Sequence, residues 1–182
     1  PGINLTNLIK KVKASPNLVL EYVNNLSSYS IIKEEKSGGK KKVHIRNLRA
    51  NFDNEISRII YSLTEINKKY LFFKKYKQLR PYFVQLEDIL KNNKSFVLVY
   101  GSYARFASTK DSDLDLLIVG KLEKEEIKRM REVFVTLESE LSLKIETIYS
   151  FLENIDKPLY QNLLREHVVV YGAGIFISLL EK

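Results

Sequence analysis

Two aspartates, separated by one residue, lie at the start of an apolar run. Asp113 and Asp115 begin the segment Asp-Leu-Asp-Leu-Leu-Ile-Val. Successive side chains of a β-strand point to opposite faces, so both carboxylates are expected on one face. Two anions this close repel each other, and a divalent cation removes the repulsion. Hard oxygen ligands of this kind suit Mg²⁺ or Mn²⁺, which keep some waters and also bind substrate phosphates.

A glycine–serine pair lies upstream of the aspartates, directly after a second apolar run. Residues 96–100 (Phe-Val-Leu-Val-Tyr) predict a short buried strand, and Gly101 and Ser102 follow it. Glycine lets the backbone approach a ligand closely, and free N–H groups at the start of a helix can hold a phosphate. Arg105 adds a planar, permanently charged group that matches phosphate oxygens. These residue types predict a site for a metal ion and a phosphate-containing substrate.

The spacing of these residues resembles that of the nucleotidyltransferases of the DNA polymerase β superfamily, in particular the minimal nucleotidyltransferase type. Their signature is a Gly-Ser turn, then Ala-Arg-Gly, then Ser-Asp-x-Asp-Leu. Here the matching residues are Gly101-Ser102, Ala104-Arg105 and residues 112–116. The resemblance covers roughly residues 82–172. It implies a two-metal transfer of a nucleoside monophosphate from a nucleoside triphosphate, with ATP expected, to an acceptor.

The resemblance also implies a role for each matching residue. Asp113 and Asp115 are expected as catalytic metal ligands, with Gly101 and Ser102 on the β- and γ-phosphates and Arg105 and Ser112 completing the nucleotide site. The family normally adds a third carboxylate from a later strand, which helps to activate the acceptor. The best match for it, as a catalytic residue and metal ligand, is Glu146.

The sequence departs from the family pattern at two positions. Phe106 stands where the family usually has glycine, which is expected to narrow or reshape the phosphate turn. Glu146 is longer than the commoner aspartate, which is expected to change the geometry around the metal. Activity is therefore less firmly predicted than the fold.

Each of these residues also has a structural alternative. The aspartates also fit a loop cap followed by a solvated strand end, although the full spacing of the motif favours metal ligands. Glu146 fits a charge on an edge strand, and Arg105 fits an ion pair with Asp111. The two histidines are far apart in the chain and predict no histidine-based site. Because the chain contains no cysteine, disulfides, thiolate nucleophiles and cysteine-ligated zinc are excluded.

The positive charge of the chain belongs to its first half. Residues 1–95 contain 19 Lys and Arg against 8 Asp and Glu, whereas residues 96–182 contain 11 against 14. Such an asymmetry predicts a nucleic acid or another polyanion as the partner of the basic half.

The first 47 residues resemble a winged helix-turn-helix domain. Two helices are predicted, followed by a hairpin whose glycine turn carries Lys40, Lys41 and Lys42. The resemblance implies that the second helix enters a DNA major groove with Ser15 and Asn17 on its exposed side, while the three lysines contact phosphates. The alternative is a protein-interaction module with solvated lysines.

The predicted architecture is α+β in three parts. Residues 1–50 form the winged helix, residues 51–80 a long connecting helix, and residues 81–182 a nucleotidyltransferase domain with a mixed β-sheet and helices. Within it, strands are predicted at 96–100, 114–119 and 143–149, and a helix at 123–141. Aromatic residues on the connecting helix would also support a homodimer, so this oligomeric state is kept as an alternative.

No apolar run approaches about 18 residues and no basic-then-apolar leader is visible, so neither a membrane span nor a secretory signal is predicted and a cytoplasmic location is expected. The leading function is a metal-dependent nucleotidyltransferase with a winged helix for nucleic-acid or partner binding. Two alternatives stay open. One is a DNA-binding regulator whose nucleotidyltransferase-like domain is inactive or senses nucleotide, and the other is an antitoxin-like protein that modifies a partner toxin.

Overall fold

The computed structural model describes residues 2–38, 44–137 and 140–180. The chain forms two compact units, of which the first ends at Tyr61 and the second covers Ser62–Leu180. Both contain helices and strands, so the predicted α+β class is confirmed. The elements of the first unit are β1 (Ile3–Asn4), α1 (Leu5–Val12), α2 (Pro16–Ser28), β2 (Ile32–Gly38) and β3 (His44–Ala50). Helix α3 (Glu55–Lys75) follows, and the border between the two units falls within it.

The first unit packs its two short helices on a small antiparallel sheet. The strand order is β1-β3-β2, and β1, which the sequence did not predict, pairs Ile3 with Leu48. Val19 and Val23 of α2 are buried together with Leu48. The order helix, helix, hairpin agrees with the predicted order of elements. Lys40, Lys41 and Lys42 lie outside the described residues.

The second unit contains one mixed sheet and the helices that cover it. Its elements after α3 are a 3-10 turn (Lys77–Leu79), α4 (Arg80–Leu90), β4 (Phe96–Tyr100), α5 (Gly101–Ala104), β5 (Leu114–Val119), α6 (Lys124–Val133), β6 (Leu141–Glu146), α7 (Ile148–Asn154), α8 (Pro158–Arg165), β7 (Val168–Tyr171) and α9 (Ala173–Leu179). Across the described parts of the chain, none of the helices combines the length and apolarity needed to span a bilayer.

The strand order of this sheet is β6-β5-β4-β7. Strand β4 pairs antiparallel with both β5 and β7, whereas β5 and β6 run parallel. The predicted strands 96–100 and 114–119 are confirmed at both ends. The long parallel pairing of β5 with β6 decides which residue of β6 lies beside each aspartate.

Both faces of the β4–β5 pair are buried. On one face Val99 and Leu116 join the core with Leu86 and Leu90 of α4. On the other, Phe96 contacts the rings of Phe151 and Phe176, with centroids 5.3 Å away in each case. A strand pair packed from both sides is rigid, because protein interiors are as dense as organic crystals. The residues at its ends are therefore held in fixed positions.

Two predicted elements end earlier than expected. The helix predicted to Leu141 stops at Val133, because Phe134 and Val135 bond to carbonyls three residues back and so form tight turns. The strand predicted to Tyr149 stops at Glu146. Thr147 ends it by accepting a hydrogen bond from the Ser150 N–H at 3.1 Å, which caps α7.

Candidate active site

The two aspartates lie where β5 begins, at the end of β4. Asp113 precedes the strand and is exposed, and Asp115, its second residue, is half-buried. Across the sheet, Asp115 pairs with Tyr100 of β4 and with Ser142 of β6. Paired residues of neighbouring strands point to the same face, so Tyr100, Asp115 and Ser142 form a row across three strands.

Gly101 brings the glycine–serine turn against this row. Its φ is +67°, in the left-handed region that favours glycine. A Cβ at this position would lie less than 3.0 Å from Oδ2 of Asp115, a distance that real Cβ atoms essentially never show. Helix α5 begins at Gly101, and Ser102 is its second residue. The structure therefore places the backbone of Gly101 against the Asp115 carboxylate, and Ser102 follows it in α5.

The electrostatic environment of Asp115 disfavours its negative charge. Burial raises the pKa of the Asp115 carboxyl, and the neighbouring charge of Asp113 raises it further. A hydrogen bond with Ser142 and the charge of Arg105 act in the opposite direction, yet the pKa stays above its ordinary value. A cation placed between the two carboxylates would relieve this unfavourable charge.

Arg105 lies at the end of α5, about half exposed. Its guanidinium is 3.6 Å from the carboxylate of Glu166, which is similarly exposed. The structure thus pairs Arg105 with Glu166 rather than with Asp111. Its charge still acts on Asp115, so Arg105 lies within electrostatic range of the site.

The loop between α5 and β5 is held by its own hydrogen bonds. The Ser112 hydroxyl accepts a hydrogen bond from the Thr109 N–H at 2.8 Å and so closes the turn before Asp113. Phe106, at the usual glycine position, has φ +57°. Its ring stacks on Tyr76 with centroids 6.3 Å apart, and Lys75 of α3 donates a hydrogen bond to its carbonyl. The departure from glycine is therefore accommodated by packing against Tyr76.

Glu146, the expected third metal ligand, is not brought to the two aspartates. It is the last residue of β6 and pairs with Val119, four residues beyond Asp115. At 3.3 Å per residue this is about 13 Å along the sheet. Its carboxylate instead lies 2.7 Å from Lys144 Nζ and accepts a hydrogen bond from the Tyr160 hydroxyl.

Ser142 and Lys144 occupy the positions on β6 next to Asp115. Ser142 pairs directly with Asp115 and Lys144 pairs with Leu117, and both point to the face of Asp115. The sequence reasoning missed both, although polar side chains alternate with Leu141, Leu143 and Ile145 along β6. The alternation was visible in the sequence, but the register between β5 and β6 was not.

The donor groups suit one metal ion. Among the described residues, no three His, Asp or Glu side chains are arranged to hold a metal together. Asp113 and Asp115 remain as a pair of hard oxygen donors, one of them with a raised pKa. Mg²⁺ is commonly bound by one or two carboxylates, several waters and substrate phosphates, so this pair fits it.

Comparison with known proteins identifies the second unit. The family model described as Polymerase beta, Nucleotidyltransferase matches residues 84–174, which is half of the chain. The chain belongs to this family. The matched region contains the predicted Gly-Ser turn and both aspartates. The predicted nucleotidyltransferase family is therefore confirmed.

Similarity beyond the family model is low. A solved structure described as a toxin-antitoxin with AMP-PNP shares 17% sequence identity, over 54% of this chain and 80% of that one, with a TM-score of 0.40. A TM-score of this size does not establish a common fold. No curated protein matches the nucleotidyltransferase sequence.

Proposed function

We propose that the second unit transfers a nucleoside monophosphate from a nucleoside triphosphate to an acceptor, using a divalent cation held by Asp113 and Asp115. The observation that carries this proposal is the contact of the Gly101 turn with the Asp115 carboxylate, inside the region that matches the family. This contact places backbone N–H groups that can bind a phosphate next to a carboxylate that can bind a divalent cation.

The proposed reaction is a substitution at the α-phosphorus. The acceptor oxygen forms a bond to that phosphorus, the bond to the oxygen that bridges to the β-phosphorus breaks, and pyrophosphate leaves. The acceptor proton passes to solvent. A bound Mg²⁺ or Mn²⁺ would neutralise part of the negative charge on the phosphates. The chain's own residues then bind and orient the triphosphate.

The turn residues are proposed to hold the triphosphate. Gly101 and Ser102 offer backbone N–H groups at the start of α5, next to Asp115. Arg105 is available to a phosphate because its 3.6 Å contact with exposed Glu166 contributes little, and a two-pronged bond to phosphate is stronger. Ser112 supports the site by closing the turn that precedes Asp113.

Label transfer tests the proposal. The protein is incubated with Mg²⁺ and each nucleoside triphosphate labelled at the α-phosphorus, with ATP expected as the preferred donor. Label recovered on a protein or on a nucleic acid identifies the acceptor class. The double variant Asp113→Asn, Asp115→Asn is expected to lose transfer, whereas Asp111→Asn, at an exposed carboxylate of the loop that precedes Asp113, is expected to retain it. Equal transfer by wild type and the double variant would overturn the assignment.

We also propose that the first unit is a winged helix that binds nucleic acid. Its helix–helix–hairpin order and small three-stranded sheet support this, as does its composition of eleven Lys and Arg against five Asp and Glu over residues 1–61. Ser15, which caps α2, and Asn17 are exposed and so are open to a partner. Lys40, Lys41 and Lys42 are proposed to add phosphate contacts.

Fluorescence anisotropy with a labelled duplex DNA tests this second proposal. Affinity is expected to fall steeply as salt rises from about 50 to 200 mM, because phosphate contacts release counterions. Replacing Lys40, Lys41 and Lys42 by Gln is expected to reduce this salt dependence, and the same change at Lys91 and Lys94 in the second unit is not. No binding at the lower salt concentration would favour the protein-interaction alternative.

A further inference from the structure

An open groove lies between α4 and the part of α3 that belongs to the second unit. The two helices are joined by the short turn at Lys77–Leu79 and pack through Phe73 and Phe83, whose ring centroids are 5.5 Å apart. The groove encloses about 610 Å³, and all the residues that line it belong to the second unit. Its α3 side extends from Ile66 to Lys74, which is about 12 Å, or two turns, at 1.5 Å per residue.

The walls of this groove are apolar and yet exposed. Ile66 and Tyr70 of α3 and Val84 of α4 are each between 52% and 62% exposed, and they are called the apolar walls below. Leu63, three residues before Ile66 on α3, is similarly exposed and continues the same helix face. Single exposed apolar side chains are ordinary, but a contiguous set of them along a groove marks an interaction site.

Three cations lie together where the two helices meet. Lys74 is in the last turn of α3, Lys77 is in the connecting turn and Arg80 begins α4, and these three exposed residues are called the cationic end below. Among the described residues that line the groove, the one carboxylate is that of Glu87, and it lies 2.5 Å from Lys69 Nζ. Because Glu87 is already paired with Lys69, the cationic end keeps its positive charge.

The open shape of the groove favours a polypeptide over a small molecule. Pockets for small molecules bury most of the ligand surface, whereas the apolar walls here are more than half exposed. An amphipathic helix binds an open groove by laying its apolar face along it, through side chains at positions i, i+3, i+4 and i+7. Two helical turns hold such a set, so the length of the groove suits a helix.

The charge of the groove indicates which kind of helix fits. A second copy of this chain would present the same cationic end, and the Glu87 carboxylate of its groove would again be paired with Lys69. A single-stranded nucleic acid is bound by cations that follow its backbone, whereas the three cations here lie at one end of apolar walls. Acidic side chains of another protein would supply the complementary charge.

We therefore propose that the groove between α3 and α4 docks an acidic amphipathic helix of a partner protein. Apolar side chains of that helix cover the apolar walls, and its carboxylates contact the cationic end. This surface is distinct from the proposed nucleotide site, because none of its residues belongs to the Gly101 turn or to the aspartate pair. Its test therefore succeeds or fails independently of the transfer reaction.

A designed peptide tests the proposal with the full chain. The probe is a fluorescein-labelled peptide of about 15 residues, long enough to form some helix, with Leu at positions i, i+3, i+4 and i+7 and Glu on the flanks. A second peptide has Lys in place of every Glu. By fluorescence anisotropy, the acidic peptide is expected to bind at least about tenfold more tightly than the basic one. No saturable binding of the acidic peptide, or equal binding of both, would overturn the proposal.

Matched charge variants test the cationic end. Replacing its three residues by Gln is expected to weaken binding of the acidic peptide about tenfold, because three exposed ion pairs of modest strength are lost. The control replaces Lys91, Lys94 and Lys121 by Gln, which removes the same charge from exposed positions elsewhere in the second unit. This control is expected to stay within about twofold. Equal weakening in both triple variants would show that the peptide responds only to net charge, and the proposal would be wrong.

Val84→Asp tests the apolar walls. The new carboxylate would be buried against the apolar face of the peptide, so affinity is expected to fall about tenfold or more. Val135→Asp, at another exposed valine of the second unit, is expected to leave the affinity unchanged. Circular dichroism checks that both variants fold. Unchanged affinity in folded Val84→Asp would contradict docking in this groove.

Two further measurements test the other occupants. Sedimentation velocity of the full chain is expected to show no dimer that depends on Val84, and a dimer that Val84→Asp dissociates would overturn the proposal in favour of a second copy. A single-stranded oligonucleotide is expected not to displace the acidic peptide. Displacement that is lost when the cationic end is replaced by Gln would show that the groove binds nucleic acid instead.

Discussion

The backbone of Gly101 lies directly against the carboxylate of Asp115, with no room for a side chain between them. Gly101 follows the last residue of β4 and begins α5, and Asp115 is held in β5 by pairs on both sides. The contact thus fixes the position of the Gly101-Ser102 turn, which is proposed to bind phosphate, relative to the carboxylate that is proposed to bind a cation.

Replacing Gly101 by Ala is expected to separate these two groups. An L-residue at φ +67° costs about 1–2 kcal/mol, and the new methyl group overlaps Asp115 Oδ2, so the turn or the carboxylate must move. A displacement of about 1 Å at a reacting centre can cost about 100-fold in rate. We expect a loss of label transfer of this order, together with reduced stability in urea.

Gly174→Ala is the control for this variant. Gly174 lies in α9 with no atom near the position of an added Cβ, and alanine favours helices by up to about 1 kcal/mol over glycine. This variant is expected to be as stable as wild type or more so and fully active. Equal losses in both variants would show that the Gly101–Asp115 contact has no special role.

Two substitutions at Phe106 are expected to distinguish the destabilisation caused by its left-handed backbone conformation from the stabilisation provided by its ring. Both remove the ring from Tyr76, but only glycine relieves the left-handed conformation at φ +57°. Phe106→Gly is therefore expected to be about 1 kcal/mol more stable than Phe106→Ala in urea unfolding. Nucleotide affinity should stay close to wild type in both variants. A large gain in affinity for Phe106→Gly would instead show that the ring obstructs the phosphate turn.

Asp115→Asn is expected to stabilise the metal-free protein at pH 7. Burial and the charge of Asp113 raise the pKa of Asp115, so its ionised form is disfavoured in the folded state. A group with a raised folded pKa opposes folding at higher pH, and this effect disappears as the pH falls through that pKa and the group takes up its proton. The advantage of the variant should therefore shrink in acid. Urea unfolding across pH measures it, and an advantage that does not change with pH would contradict the account.

The sequence predicted the local features of the site but not the long-range register. Apolar runs and a Gly-Ser turn located β4 and β5 to the residue, since these patterns depend on neighbours in the chain. Glu146 was singled out as the acidic residue of a later strand, yet its distance from Asp115 depends on how β6 aligns with β5. That alignment is set by packing of the whole sheet, which periodicity does not encode.

The ends of elements were harder to predict for a related reason. The apolar spacing that predicted a helix to Leu141 continues through Phe134 and Leu137, which pack on the core from a turn rather than from a helix. The predicted strand 143–149 includes Thr147, although a threonine three residues before Ser150 also fits a helix cap. In both places the order of apolar and polar residues does not fix the backbone conformation.

A buried carboxylate on α3 gives a final prediction within the second unit. Glu65 Oε2 lies 3.4 Å from His167 Nε2, Glu65 Oε1 lies 2.7 Å from Lys68, and both Glu65 and His167 are more than 90% buried. Burial alone would raise the pKa of Glu65, but the contacts with His167 and Lys68 outweigh it and lower that pKa below its usual value. The ionised form therefore stabilises the fold.

The sign of the pH dependence follows from this lowered pKa. Stability from Glu65 is fully present above its unfolded pKa of about 4.3 and is lost as the pH falls through the lower folded value. Glu65→Gln is expected to cost about 1–3 kcal/mol at pH 7 and to unfold with a flatter pH profile below about pH 4.3. Glu125→Gln, at an exposed position of α6, should change stability by less than about 0.5 kcal/mol. Parallel profiles for wild type and Glu65→Gln in acid would show that the pair does not contribute in this way.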